Sequence, residues 1–333
     1  MAGRVTMRDV ARAVGKSPMT VSRALRGDAT VSAETRALVN KRADEMGYVY
    51  DSTAQIFRTQ KSGFVAVTVP SINNANFAET FRGLSDGLEG TGMQLLLGST
   101  NYSVEKELEI VRQLLARNPE AIVLTGGFHL PQTRGLLEKA QLPVIEIWDL
   151  AAEPLGHVVG FSNADAMSKI VAELSQNGRR KLAFIGASEG SDMRGDARRD
   201  GVIAAAKALG LPEVKVIDAG LAPVSMRHGA QAVKEMGQAV KEFDALVCVS
   251  DPVAFGALNE CRRMGISVPQ DIAITGFGNF DVATVSSPRI TTVNVHANQI
   301  GRKVAEVMQD IFGGQTQAQW IDVGSTLVRG ETV

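Results

Sequence analysis

Residues 5–26 read VTMRDVARAVGKSPMTVSRALR, and this stretch predicts two short helices joined by a tight turn. Thr6 followed three residues later by Asp9 is a capping-box pattern, in which side chains satisfy the orphan N–H groups of a helix start. Val10, Ala11 and Val14 then recur at helical spacing. Gly15 supplies the permissive backbone a turn needs. Ser17 before Pro18 reads as an N-cap with proline at the first helical position. In the second helix Val21, Ala24 and Leu25 face inward, which leaves Met19, Thr20, Ser22, Arg23 and Arg26 largely outward. A short helix with a polar open face fits the major groove of duplex DNA, where side chains read base edges. A helical hairpin that merely caps a larger domain is the alternative at this point.

Residues 30–50, TVSAETRALVNKRADEMGYVY, predict a third helix. Ser32 caps it, Leu38, Val39, Ala43 and Met46 share one side, and Gly47 ends it. With VTMRDVA, TVSRAL, VSAETR and MGY in this order, the chain resembles the LacI/GalR family of bacterial transcription repressors, and the resemblance continues to about residue 330. It implies a 1–50 helix-turn-helix DNA-binding domain, a 51–62 hinge helix and linker, and a 63–333 effector-binding and dimerisation domain.

The 333 residues are 44% apolar, with 33 glycines and 11 prolines and no low-complexity bias, as in an ordinary globular protein with room for two or three cores. The formal charge of −1 hides an asymmetry. Residues 1–62 carry 11 Lys/Arg against 6 Asp/Glu, a net of +5, so the remainder carries 24 against 30, a net of −6. A basic head on an acidic body suits a module that neutralises phosphates. Cys248 and Cys261 form no CxxC and the four histidines are scattered, so no metal site or disulfide scaffold is indicated and no cofactor is expected. No stretch is apolar enough to span a bilayer and the N-terminus lacks a signal-peptide core, so cytoplasmic residence is expected.

From residue 64 on, apolar runs alternate with amphipathic stretches. The strands are expected at 64–70, 93–99, 121–126, 143–148, 157–162, 181–187, 215–220, 245–251 and 272–278. The helices are expected near 76–90, 103–117, 131–141, 163–177, 195–209, 226–242, 252–264 and 296–312. Strands this apolar are buried on both faces, which means parallel sheets flanked by helices. The fold class is therefore an all-α helix-turn-helix head plus an α/β body of two doubly wound parallel-sheet subdomains. Ligands of such folds bind beyond the carboxyl ends of the strands, here between the halves. Segment 291–333 is expected to return and complete the first half. The family resemblance implies an architecture like that of periplasmic sugar-binding proteins, with subdomains of roughly 63–160 plus 293–325, and 161–292.

The same resemblance implies site residues. Pro18 and Met19 occupy the two most variable base-reading positions, beside Thr20, Ser22 and Arg23, while Thr6 and Ser17 at the helix starts, Arg26 and Thr30 complete the DNA-contacting set in the head. Segment 51–60 matches the hinge helix, with Ala54 and Phe57 facing the minor groove and Phe57 as its apolar wedge. Tyr50 stands where the family has proline, and Asp51 replaces the common asparagine. The effector site implied is Asn76, Phe77, Asn101, Thr125, His129, Glu146, Trp148, Phe161, Arg198, Ser250, Asp251, Gly278 and Asn279. Trp148 and Phe161 would stack on a ligand's apolar face, and the planar fork of Arg198 suits a carboxylate. Sugar-sensing members commonly carry aspartate directly after the strand ending GF, where this chain has Gly278. That departure, the GFGNFD spacing, Val144–Glu146 and Leu124 to His129 look like the gluconate-operon repressors.

The expectation is thus a homodimeric repressor on palindromic double-stranded operator DNA, released by a sugar or sugar-acid effector such as gluconate or its phosphate, for a carbohydrate-utilisation operon. A soluble sugar-binding protein without a DNA role fits the body but not the basic head. A nucleotide-dependent α/β enzyme fits less well, since GFG at 276–278 lacks the third glycine of a dinucleotide fingerprint and no GxxxxGK[ST] occurs.

Overall fold

The computed structural model describes residues 5–49 and 62–333, and the chain divides between Lys61 and Ser62 into two compact units. Ala54 and Phe57 lie outside the described residues.

The head holds three helices, α1 (Met7–Val14), α2 (Pro18–Leu25) and α3 (Ala33–Glu45). The backbone N–H and the hydroxyl of Thr6 both donate to the Asp9 carboxylate, at 3.0 and 2.6 Å, and these bonds hold its pKa below the usual range. Gly15 ends α1 in the left-handed region, φ 63°. Ser17 Oγ accepts from Thr20 N–H at 3.1 Å, and Ser32 does the same for α3 from Thr35 N–H. Val10, Ala11, Val21, Ala24, Val31, Val39 and Ala43 make the head's core. Leu38 does not join it and is half exposed. Val39 and Ala43, four residues apart, define the buried stripe, and Leu38 lies one residue step of about 100° away from it.

The body contains two all-parallel sheets. The first runs β2 (Gln94–Ser99), β1 (Phe64–Val69), β3 (Ala121–Thr125), β4 (Val144–Ile147), β5 (His157–Gly160) and β11 (Trp320–Asp322). The second runs β7 (Lys215–Asp218), β6 (Leu182–Gly186), β8 (Ala245–Cys248) and β9 (Ala273–Thr275). Between the strands of the first half lie α4 (Ala75–Gly87), α5 (Val104–Leu115) and α6 (Pro131–Ala140). Between β5 and β9 come α7 (Asn163–Gln176), α8 (Met193–Ala208), α9 (Met226–Met236) and α10 (Asp251–Arg263), and α11 (Asp281–Val285) follows β9. The expected 226–242 helix breaks at Gly237, φ 57°, and continues as a 3-10 turn. The strand expected over 245–251 stops at Cys248, because Asp251–Pro252 opens α10 instead.

Segment 291–333 serves both halves. Helix α12 (Ala297–Phe312) packs on α4 and β11 pairs with β5, so this part completes the first sheet. The approach of α4 to α12 is backbone-close: a Cβ on Gly83 would strike the Asn298 carbonyl and one on Gly301 the Thr80 carbonyl. In contrast, β12 (Thr326–Val328) forms an antiparallel ribbon with β10 (Thr292–Asn294). Beyond it, the Thr332 carbonyl accepts from Ile274 N–H of β9 at 2.9 Å. The chain therefore passes between the sheets after β5, around β10 and after β11. Strand orders 2-1-3-4-5 and 7-6-8-9 each reverse direction at their first-formed strand, and ligand crevices open beyond the carboxyl ends at such points.

Candidate functional site

In the head, α2 presents Pro18, Met19 and Arg23 to solvent, with Met19 65% exposed. Such exposure of a long apolar side chain is costly to leave bare and useful against a thymine methyl. Arg26 is half-buried, its Nε donating to the Ser22 carbonyl at 3.1 Å, so its terminal nitrogens remain for other acceptors. Thr30 folds back on Asp28, donating through N–H and hydroxyl. Thr20 and Ser17 share a hydroxyl contact at 2.9 Å.

In the body, a cleft of about 530 Å³ lies between the two sheets. Its wall is built from the loops and first helical turns that follow strand ends. Asn73, Asn74, Asn76 and Phe77 follow β1, Tyr102 follows β2, and Trp148 follows β4. Asp192, Arg194 and Arg198 follow β6, residues 222–227 follow β7, Ser250 follows β8, and Phe277 and Phe280 follow β9. Of the thirteen effector residues that the sequence suggested, the cleft brings together Asn76, Phe77, Trp148, Arg198 and Ser250.

Trp148 is the wall's anchor. Its φ of 73° lies in the left-handed region, a strain of about 1–3 kcal/mol for a bulky residue. The surroundings over-determine it. Its backbone N–H donates to the Val159 carbonyl, its own carbonyl accepts from Asn163 Nδ2, and its indole N–H donates to Thr80 Oγ1 at 3.1 Å. Phe77 and Phe161 meet the indole edge-on at 5.0 and 5.8 Å between ring centres. Phe161 is fully buried behind Trp148 and Phe277 and supports the wall instead of lining it.

Arg198 lies with its guanidinium 4.5 Å from the centre of the Phe277 ring. Its Nη1 donates to the Val249 carbonyl at 2.8 Å and its Nε to the Arg194 carbonyl at 3.0 Å. Burial lowers its pKa and the Asp192 charge opposes that change. Its neighbour Arg199, buried to a similar degree, is instead tied to Asp200, Asp196 and Glu189. Beside the cleft, an annex of about 50 Å³ is lined by Glu107, Thr125, Asp149 and Arg194 among others. Burial raises the pKa of the Asp149 carboxyl there.

The remaining sequence candidates sit elsewhere. Asn101 is exposed on a left-handed turn, φ 51°. Thr125 is buried, its hydroxyl donating to the Thr68 carbonyl at 2.7 Å, and reaches only the annex. His129 and Glu146 line neither space and are buried against each other: His129 Nδ1 lies 2.6 Å from Glu107 and Nε2 3.4 Å from Glu146. Glu146 Oε2 accepts from Leu155 N–H and Oε1 faces His129, so this carboxyl group is buried with the histidine and does not meet Arg198. Asp251 is fully buried, accepting from Thr292 Oγ1 at 2.5 Å and Phe280 N–H at 2.7 Å, and burial pushes its pKa up to about 7. It holds the β9 loop to the β10 crossover. Gly278 and Asn279 line a separate polar depression with Asn294 and His296. Sequence reasoning missed Tyr102, Asp192 and Arg194. For Arg194 a signal existed, since it precedes Arg198 by one helical turn.

Gly278 has a structural reason to be glycine. Its φ is 117°, and an added Cβ would strike the Phe280 ring and come within 2.6 Å of Asn76 Nδ2. That same Nδ2 donates to the Gly278 carbonyl at 2.9 Å, a bond from the start of α4 to the loop after β9. Gly278→Asp is therefore expected to cost the body about 2–3 kcal/mol, measured as a lower urea midpoint at unchanged slope. An unchanged midpoint would show that the loop re-forms freely.

Comparison with known proteins agrees with this geometry. Residues 6–51 match bacterial regulatory proteins of the lacI family, and residues 171–333 match a periplasmic binding protein-like domain. The HTH-type transcriptional regulator GntR of Escherichia coli (strain K12) is 31% identical over 339 residues, covering 99% of both chains. The chain belongs to the lacI family. The regulator of the same name from Pseudomonas aeruginosa (strain PAO1) is 32% identical over 99% of this chain and 96% of its own. Among solved structures, a lacI-family transcriptional regulator from Silicibacter pomeroyi is 30% identical, with a TM-score of 0.90 over 98% of this chain and 99% of its own. This lacI-family protein is thus a DNA-binding transcription regulator with a periplasmic-binding-like body, and its relatives are regulators, not enzymes. No described helix is long and apolar enough to cross a membrane.

Proposed function

We propose that this lacI-family regulator is a homodimeric repressor whose effector is a sugar acid of the gluconate class, bound in the cleft between the two sheets. The observation that carries the reading is the Arg198 guanidinium, buried on the wall of a cavity whose other faces are the rings of Trp148, Phe77 and Phe277. Apolar faces of a polyol chain pack against rings, and a guanidinium selects a carboxylate over a hydroxyl. The resemblance to gluconate-operon repressors and the names of the 31–32% identical relatives point the same way. Two heads on a two-fold dimer match two half-sites of a palindromic operator. Ala54 and Phe57 are proposed for the minor groove, and Pro18, Met19, Thr20, Ser22 and Arg23 for the major groove.

The effector shifts DNA affinity only by its differential affinity for the two arrangements of the body. The test is fluorescence anisotropy of a labelled operator, selected from random duplexes by the protein itself, titrated with D-gluconate or D-glucose at fixed salt. Gluconate is expected to weaken binding about 5- to 150-fold, with glucose inert at the same concentration. Release by glucose and not by gluconate would overturn the effector class.

A further inference from the structure

Arg194 and Arg198 stand one turn apart on α8, so both guanidinium groups leave the helix on the same side. Each is pinned through Nη1 to a strand-end carbonyl: Arg198 to Val249 and Arg194, at 3.4 Å, to Thr125 of β3 in the other sheet. In both, Nη2 is turned toward Asp192. Arg194 Nη2 lies 3.8 Å from Oδ1 and Arg198 Nη2 lies 3.7 Å from Oδ2. These are ion-pair distances that are too long for hydrogen bonds. Asp192 Oδ1 is buried and makes no hydrogen bond among the described residues. Asp192 also stands at the N-cap of α8 without capping it. An aspartate at that position ordinarily accepts from the first helical N–H groups. Here its carboxylate is spent on two guanidinium arms whose charges it offsets without satisfying their donors. Buried polar atoms left this way mark a place where a further partner fits.

We infer that Arg194, Arg198 and Asp192 together read an α-hydroxycarboxylate, the acidic end of a linear sugar acid, with Arg194 and Asp192 as residues that set specificity for it. This rests on the sugar-acid reading of the cleft. The carboxylate accepts from the two Nη2 groups. The hydroxyl on the neighbouring carbon donates to Asp192 Oδ1. Arginines alone would accept any carboxylate or phosphate, and an aspartate alone would favour neutral hydroxyls and repel acids. A carboxylate next to a hydroxyl satisfies both at once, and an analogue lacking either leaves buried groups unpaired, which is where strong discrimination comes from. Arg194 adds a second consequence. Its bond to Thr125 crosses between the sheets, so a ligand held by Arg194 is read by both halves of the body.

The experiment is isothermal titration of the full-length protein with D-gluconate, 2-deoxy-D-gluconate and D-glucitol. Wild type is expected to bind gluconate at least about 10-fold more tightly than the 2-deoxy acid and about 100-fold more tightly than glucitol. Arg194→Gln is expected to weaken gluconate about 30-fold or more and leave glucitol unchanged. Asp192→Asn is expected to bring gluconate and 2-deoxy-gluconate within about threefold of each other. Where Arg194→Gln melts early, Arg194→Lys keeps charge and stem but not the fork, and an intermediate loss supports the assignment. Wild-type gluconate affinity in Arg194→Gln, or discrimination retained in Asp192→Asn, overturns it. If Arg198→Gln alone then loses gluconate, the sugar-acid reading stands without this assignment. Equal wild-type binding of glucitol and gluconate sinks both.

Discussion

Replacing His129 with alanine is expected to destabilise the body by about 3–5 kcal/mol, the range for removing one member of a buried ionic group. The imidazole sits between Glu107 of α5, at 2.6 Å, and Glu146 of β4, at 3.4 Å, with its own side chain fully buried. Burial pulls its pKa down, but the two carboxylates together outweigh that and raise it from 6.5 to about 9. His129 is therefore an imidazolium at neutral pH, bridging two anions that would otherwise face each other out of water. Alanine leaves both carboxylates buried and mutually repelling.

The raised pKa fixes the sign of a pH dependence. Between pH 6.5 and 9 the folded state holds a proton that the unfolded state has released, so stability falls as pH rises through that window. The contribution is complete below pH 6.5 and worth about 3 kcal/mol, at about 1.4 kcal/mol for every pH unit that separates the folded and unfolded pKa values. The measurement is urea unfolding of wild type and His129→Gln from about pH 6 to about pH 9.5, followed by far-ultraviolet circular dichroism. Wild type is expected to lose about 3 kcal/mol more than the variant across the window. Parallel curves would show a neutral histidine and leave the triad as an ordinary hydrogen bond.

The same triad shows where sequence reading stops. His129, Glu107 and Glu146 come from a loop, a helix and a strand, and nothing local marks them as partners. The resemblance suggests two of them for a ligand, whereas the fold spends them on each other. The head is more legible, because Thr6, Asp9, Gly15, Ser17 and Ser32 act on backbone groups within three residues of themselves. Leu38 is the exception there, since one apolar neighbour too many fits the stripe. In the body, apolar runs mark nine parallel strands, and the rule that ligands sit beyond strand ends agrees with Asn76, Trp148, Arg198 and Ser250, which the resemblance implies. It fails for Asp251, whose carboxylate follows a strand end but turns back to bind Thr292 and Phe280. The β10–β12 ribbon is illegible, since antiparallel pairing of strands that far apart, with a helix between them, leaves no periodic trace.

Operator affinity is expected to fall about 10³- to 10⁵-fold between 50 and 200 mM salt, the loss for a dimer that neutralises about 6–10 phosphates. The charge distribution supports this. The net of +5 lies in residues 1–62 and the net of −6 in the rest, so counterion release belongs to the head while the body repels the duplex. Arg26 and Arg23 separate the two kinds of contact. Arg26 is braced by the Ser22 carbonyl at the end of α2, which suits a phosphate. Arg26→Ala is expected to weaken binding evenly across sequences and to lower the salt slope by about one for each phosphate no longer neutralised. Arg23 stands exposed on the presented face of α2 near Met19. Its replacement by alanine is expected to cost about 1–3 kcal/mol on the cognate operator and to relax preference at one base pair of each half-site. Anisotropy titrations of cognate and single-mismatch duplexes across a series of salt concentrations read both slopes and preferences. A wild-type slope near zero would remove phosphate contact as the source of affinity. Equal, sequence-independent losses in the two variants would move Arg23 from the base edges to the backbone and leave Met19, with Pro18, to carry the selectivity of the helix.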